Sequence, residues 1–153
     1  MSDALKNLKF MAFDVDGVLT DGKLTYLPDG SETKTFYTLD GAGIRMLQKA
    51  GITVGWITGR SSAAVEHRAK NLGITHLAQG VGDKHKVFAT WLGELHCKAG
   101  PLGAVVFEEV RAHRGTAAAH TYGAFLGQLT AWCELHQIPY QGVPVGTIKK
   151  HAT

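Results

Sequence analysis

Residues 9–22 read KFMAFDVDGVLTDG. The apolar run KFMAFDV, residues 9–15, is bounded by polar residues and predicts a short buried strand. Asp14 closes the run, Asp16 lies two residues on, and Gly17 lets the chain turn away. Strand, acid, acid, glycine is the arrangement whose surroundings decide the fold.

Working outward, TDGKLTYLPDGSETKTFYTLDG (20–41) holds two alternating runs, Lys23–Leu27 and Glu32–Tyr37. Pro28-Asp29-Gly30 separates them, which is hairpin chemistry. AGIRMLQKAG predicts a helix with Ile44, Leu47 and Ala50 on one face, ending at Gly51. ITVGWITG (52–59) predicts a second buried strand, and SSAAVEHRAKNLG (61–73) a helix opened by a serine cap and closed by a glycine. ITHLAQG is a third short strand, and DKHKVFATWLGELH (83–96) spaces Phe88, Trp91, Leu92 and Leu95 helically. GAVVFEE is a fourth strand, residues 116–137 a long helix striped by Tyr122, Phe125, Leu126, Leu129, Trp132 and Cys133, and IPYQGVPVG (138–146) a last, proline-marked strand. Strands alternating with helices imply one α/β domain, Rossmann-like, a parallel sheet with helices on both faces and a β-hairpin after its first strand.

Ligands of such sheets sit at the carboxyl ends of the strands, so the strand-end residues form one set: Asp14 and Asp16, Thr58-Gly59-Arg60, Gly82-Asp83-Lys84, and Glu108-Glu109. Two carboxylates spaced like Asp14 and Asp16 suit phosphoryl transfer, one attacking phosphorus while the other protonates the leaving oxygen and later activates water. Mg²⁺ would screen the acids from an anionic substrate. Thr58 offers a hydroxyl and backbone N–H groups at a strand-to-helix turn, and Lys84 a charge to neutralise the phosphate or the attacking Asp.

FDVDGVLTDG, ITGR and QGVGDK resemble the first three motifs of the haloacid dehalogenase superfamily. Over residues 8–86 the wider string is similar to its branch of sugar-acid phosphate phosphatases, the 3-deoxy-D-manno-octulosonate 8-phosphate and acylneuraminate 9-phosphate family. The resemblance implies Asp14 as nucleophile and Asp16 as general acid/base. It implies Thr58, Gly59 and Lys84 at the phosphate, and Arg45, Arg60 and Arg68 against an acidic sugar phosphate. It also implies a homotetramer, without a large cap domain, in which the hairpin packs between subunits and a neighbour helps cover each site.

From residue 88 onward the string instead resembles the middle of a phage-type crossover-junction endodeoxyribonuclease, through FEEVRAHRGTAAAHTYG, IPYQGVPVGTIKKHAT and WLGELH. That likeness implies a metal-binding acid at Glu108 or Glu109 and Lys149 and Lys150 near DNA. It implies a join of two family fragments near residue 87. The strand ending in Glu108-Glu109 stands where the phosphatase family carries the acid that completes its metal shell, so Asp14, Asp16, Glu108 and Glu109 are the candidate metal ligands. Glutamate reaches about 1–1.5 Å further than aspartate, by ordinary bond lengths. His113, His120 and His136 do not converge by spacing.

Of 153 residues, 44% are hydrophobic and 19% charged, as in a globular domain, and the net charge of +3 selects neither an anionic substrate nor nucleic acid. Cys97 and Cys133 show no metal or redox spacing, so two reduced thiols fit. No stretch approaches 18 apolar residues and no leader is evident, which points to a cytoplasmic protein. The leading expectation is a Mg²⁺-dependent phosphatase of a sugar-acid phosphate. The alternatives are a nuclease or DNA-binding fragment and an inactive scaffold.

Overall fold

A computed structural model describes residues 8–109 and 116–144. The elements are β1 (Phe10–Phe13), β2 (Thr25–Tyr26), β3 (Glu32–Thr33), α1 (Thr38–Lys49), β4 (Thr53–Ile57), α2 (Ala63–Leu72), β5 (His76–Ala78), α3 (Lys84–Ala99), β6 (Val105–Glu109), α4 (Thr116–Leu135) and β7 (Tyr140–Pro144). The chain divides into two compact units, Met1–Val87 and Phe88–Thr153, with the boundary inside α3.

In the first unit β1, β4 and β5 form a parallel sheet in that order, Phe10 opposite Thr53 and Gly55 opposite His76. β4 is flanked on both edges, so Val54 to Ile57 are buried and Trp56 is 1% exposed. The core gathers Val15, Leu19, Ile44, Val54, Trp56, Val65, Ala69, Leu72 and Ile74. The Cβ of any larger residue at Gly41 of α1 would collide with the Arg68 guanidinium of α2, so the glycine lets that side chain lie close. Gly73 adopts the left-handed conformation (φ +71°) that ends α2.

Four local expectations change. β1 is half-buried rather than buried, with Met11 37% exposed. β4 is its one strand partner among the described residues. Ala50 is exposed and caps α1 from outside, and Gly41 joins Ile44 on the buried face instead. Ser62 is the N-cap of α2 but its hydroxyl makes no cap bond, and its backbone carbonyl receives the Val65 and Glu66 N–H groups. The hairpin pairs two residues from each strand, Thr25 with Thr33 and Tyr26 with Glu32, and turns through Gly30 at φ +82°.

In the second unit β6 and β7 pair in parallel, Val105 opposite Tyr140, with α4 as the crossover. Leu92, Val105, Leu129, Cys133 and Ile138 form its core, as the stripe of α4 implies. α4 stops at Leu135 because Gln137 turns left-handed (φ 56°) and Ile138 donates back to the Cys133 carbonyl at 2.8 Å. Both units thus show the parallel strands and intervening helices of an α/β fold. No helix among the described residues is long and apolar enough to cross a membrane.

Candidate active site

The first unit holds the site. Val15 is fully buried, and its carbonyl accepts the Leu19 and Thr20 N–H groups at 2.9 and 3.2 Å. This anchors the loop through the core residues Val15 and Leu19, while Gly17 (φ +82°) makes the turn. With Val15 pointing inward, Asp14 and Asp16 are left at the mouth of β1.

Each acid has its own cation. Asp14 Oδ2 accepts from Lys84 Nζ at 2.5 Å and Oδ1 from the Val15 N–H at 2.7 Å. Lys84 opens α3, whose first turn is capped by Asp83 accepting the His85 and Lys86 N–H groups at 3.1 and 3.3 Å. Asp16 Oδ1 accepts from Lys34 Nζ at 2.5 Å, and Oδ2 from the Thr58 hydroxyl at 3.0 Å. Thr58, 1% exposed at the end of β4, also accepts the Arg60 N–H at 3.2 Å through that oxygen. Its carbonyl accepts the Val81 N–H at 3.1 Å, so the two loops close on one another. Gly59 is exposed beside them.

The hairpin supplies groups that reading the sequence missed. Lys34 bridges Asp16 and Glu32 (2.6 Å to Oε1), and Glu32 Oε2 accepts from Arg60 at 2.5 Å. Arg60 also donates to the Tyr26 hydroxyl at 3.1 Å. Glu32 and Lys34 sit two apart in an extended run and so share a face. That pairing was the available signal, but it does not reveal which face meets the strand ends.

Burial alone would raise the Asp16 carboxyl, but hydrogen bonds from Lys34 and Thr58 and the charges of Lys34 and Arg60 hold it below the usual aspartate value. Glu32 is lowered by Lys34 first and Arg60 next. Lys34 is opposed by burial yet raised by Asp16 and Glu32. The carboxylates Asp14, Asp16 and Glu32 are matched by Lys84, Lys34 and Arg60, so the site is electrically balanced. A phosphate dianion entering it brings uncompensated negative charge, which is the electrostatic fit for a divalent cation. Among the described residues no three metal-ligating side chains converge. Mg²⁺ is commonly held by one or two carboxylates plus water and substrate oxygens, and each carboxylate has about four acceptor sites, so Asp14 and Asp16 suffice for that mode.

Arg45 and Arg68 make other contacts within the first unit. Arg45 donates to the Asn71 carbonyl at 2.8 Å, and Arg68 lies 6.0 Å from the Phe36 ring and donates to the Tyr37 carbonyl at 3.5 Å. Glu108 and Glu109 end β6 in the second unit, where the Tyr122 hydroxyl donates to the Glu108 carbonyl at 2.6 Å. The His136 ring lies tilted beside Trp132, ring centres 4.3 Å apart. His113, Lys149 and Lys150 lie outside the described residues.

Solved structures of known proteins give the class. The chain superposes on a hydrolase of the haloacid dehalogenase superfamily from Legionella pneumophila with a TM-score of 0.59 at 36% identity, covering 71% of this chain and 59% of that one. The fold is therefore of the haloacid dehalogenase-like α/β type, as the strand-end motifs imply. Within that class, the chain is homologous to 3-deoxy-D-manno-octulosonate 8-phosphate phosphatases. The Yersinia pestis enzyme is 44% identical over 92 residues, 60% of this chain and 49% of that protein. The Moraxella catarrhalis enzyme, solved with magnesium, phosphate and the sugar acid, gives a TM-score of 0.57 at 44% identity, covering 69% of this chain and 60% of that one. The chain spans about half the length of the curated relatives it matches. No family model matches it. These relatives are phosphatases, and the nuclease resemblance of residues 88–153 and the implied join draw no support from them.

Proposed function

We propose that the protein is a Mg²⁺-dependent phosphoric monoester hydrolase acting on a sugar-acid phosphate such as 3-deoxy-D-manno-octulosonate 8-phosphate. The observation that carries the reading is the pairing of Asp14 with Lys84 and Asp16 with Thr58 at adjacent parallel strand ends. An Asp14 oxygen attacks phosphorus and the bond to the sugar oxygen breaks, leaving an aspartyl phosphate. Asp16 delivers a proton to the departing oxygen, then takes one from the water that hydrolyses the aspartyl phosphate. The Lys34 and Thr58 contacts favour the base form that the second step requires. For the first step Asp16 must gain a proton, and the negative charge of a bound phosphate favours that gain. Lys84 offsets charge on Asp14 and the phosphoryl oxygens. Asp14 and Asp16 would hold Mg²⁺, which supplies charge neutralisation at the phosphate when bound. The magnesium in the Moraxella relative supports the choice of metal.

Gly59 and Arg60 border the phosphate site in this reading. Substrate contacts by Arg45 and Arg68, a metal contact by Glu108 or Glu109, a homotetramer and a cytoplasmic location belong to the same proposal. The glutamate contact rests on sequence order alone. The experiment is release of inorganic phosphate from the sugar-acid phosphate with and without Mg²⁺. Turnover that needs Mg²⁺ and vanishes in Asp14→Asn supports the proposal. No release by the wild type, or equal release by Asp14→Asn, sinks it in favour of a scaffold. Loss of branched-DNA binding on changing Lys149 and Lys150 to alanine would instead favour the nuclease reading.

A further inference from the structure

Lys34 is the most buried ion-pairing side chain of the site, 2% exposed, against 32% for Lys84 and 43% for Arg60. Lysine is almost never buried this far unless paired. Its ammonium lies within ion-pair distance of two carboxylates on two different elements, Asp16 after β1 and Glu32 on β3. The contacts close into a ring. Lys34 binds Asp16 Oδ1 and Glu32 Oε1; Arg60 binds Glu32 Oε2 with its guanidinium and the Thr58 hydroxyl with its backbone N–H; Thr58 returns to Asp16 Oδ2.

From this ring we infer that Lys34 is a positioning residue, which fixes the Asp16 carboxylate and ties the β2–β3 hairpin to the strand-end site. Both oxygens of Asp16 are held, by Lys34 on one side and Thr58 on the other, so the carboxylate cannot rotate freely about its terminal bond. A phosphate-binding role for Lys34 fits less well, because its ammonium is enclosed by two acids while Lys84 stands more exposed beside Asp14. The hairpin needs the tie. It has two paired residues per strand, and isolated two-stranded hairpins are marginal in water. Beyond its turn bonds, Leu27 N–H to Ser31 at 2.8 Å and Gly30 N–H to Leu27 at 2.8 Å, the ring joins it to β1 and β4. The same residue therefore serves orientation of the acid and docking of the hairpin.

The docking half of the inference is independent of the activity, and the orientation half rests on the phosphatase reading. Hydrogen exchange of the 153-residue chain tests the first. Lys34→Met should speed exchange of the Leu27 and Gly30 amides about tenfold or more, the effect of losing a charge-assisted hydrogen bond, while the β4 amides stay protected. Glu32→Gln, which opens the ring while keeping the Lys34–Asp16 pair, gives the same test should Lys34→Met fail to fold. Unchanged hairpin exchange in a folded variant overturns the inference. Leaving-group dependence tests the second half. A good aryl leaving group needs little protonation, so Lys34→Met should lose about tenfold more kcat on the sugar-acid phosphate than on p-nitrophenyl phosphate, and Lys34→Arg should recover part of the difference. Equal losses on both substrates overturn the positioning role. A wild type that releases no phosphate removes the phosphatase reading instead, and the exchange result then decides the role of Lys34 by itself.

Discussion

Replacing Thr58 by valine removes the one charged hydrogen bond the Thr58 hydroxyl makes in the ring, together with its neutral bond from the Arg60 N–H. Valine keeps the β-branched shape of a side chain 1% exposed and removes the hydroxyl that donates to Asp16 Oδ2 at 3.0 Å. A hydrogen bond to a charged group contributes roughly 1.5–3 kcal/mol, so the first unit should lose about that much stability at neutral pH. The pH dependence makes the prediction specific. The folded-state value of Asp16 lies below its ordinary 3.8, so its contribution is fully present above pH 3.8 and is lost as pH falls through the lower folded value. Valine removes one cause of that depression, so the variant has less to lose on acidification. The two stability curves should converge in acid to a difference of about 1 kcal/mol or less, that of a neutral hydrogen bond. The assay is urea unfolding read through protection of the β4 amides, at pH 7 and again below the folded value of Asp16. A variant as stable as wild type at pH 7, or a loss of equal size at both pH values, refutes the reasoning.

Two further outcomes follow from the backbone and the thiols. Gly73→Ala places a side chain at φ +71° with nothing within 4 Å of the added carbon; the cost is backbone strain of about 1–2 kcal/mol, read as a lower melting temperature, and Gly73→Asn should cost less. Cys97 is exposed and Cys133 is buried with its thiol pushed up by desolvation, so a thiol reagent should label one cysteine in the folded protein and two in urea.

The order of strands and helices was legible because each element carries a local signal. Val54 to Ile57 form an apolar run, Gly73 and Pro28-Asp29-Gly30 mark stops and turns, and Leu129 and Cys133 fall on one helical stripe. Asp14, Asp16, Thr58 and Lys84 could be read as candidates for the same reason, since Asp14 and Thr58 directly follow strands, Asp16 lies in the turn after β1 and Lys84 opens α3. What sequence order could not show is which distant residue completes each contact. Lys34 lies 18 positions from Asp16 and Arg60 lies 28 from Glu32. An alternating run fixes which side chains share a face, but not the angle at which a two-residue hairpin returns to the sheet. β1 shows the converse limit, because an apolar run reads as buried whether or not both of its edges are paired.

The two acids differ most in the partners they keep. Asp14 is 42% exposed and its lysine 32%, while Asp16 is 26% exposed and its lysine 2%. In the proposed reading, a lysine on the first turn of a helix, with a third of its side chain in water, swings from Asp14 to an incoming phosphate at little cost in desolvation. Lys34 has no such freedom, because leaving Asp16 would strand a buried ammonium beside Glu32 alone. The surroundings therefore leave Asp14 free to change partners and hold Asp16 in place. Attack needs an oxygen that can be uncovered when phosphorus arrives, and proton transfer needs one whose position is set beforehand. Within the proposed phosphatase reading, that asymmetry favours Asp14 as the nucleophile and Asp16 as the acid/base on packing grounds, independently of their order along the chain.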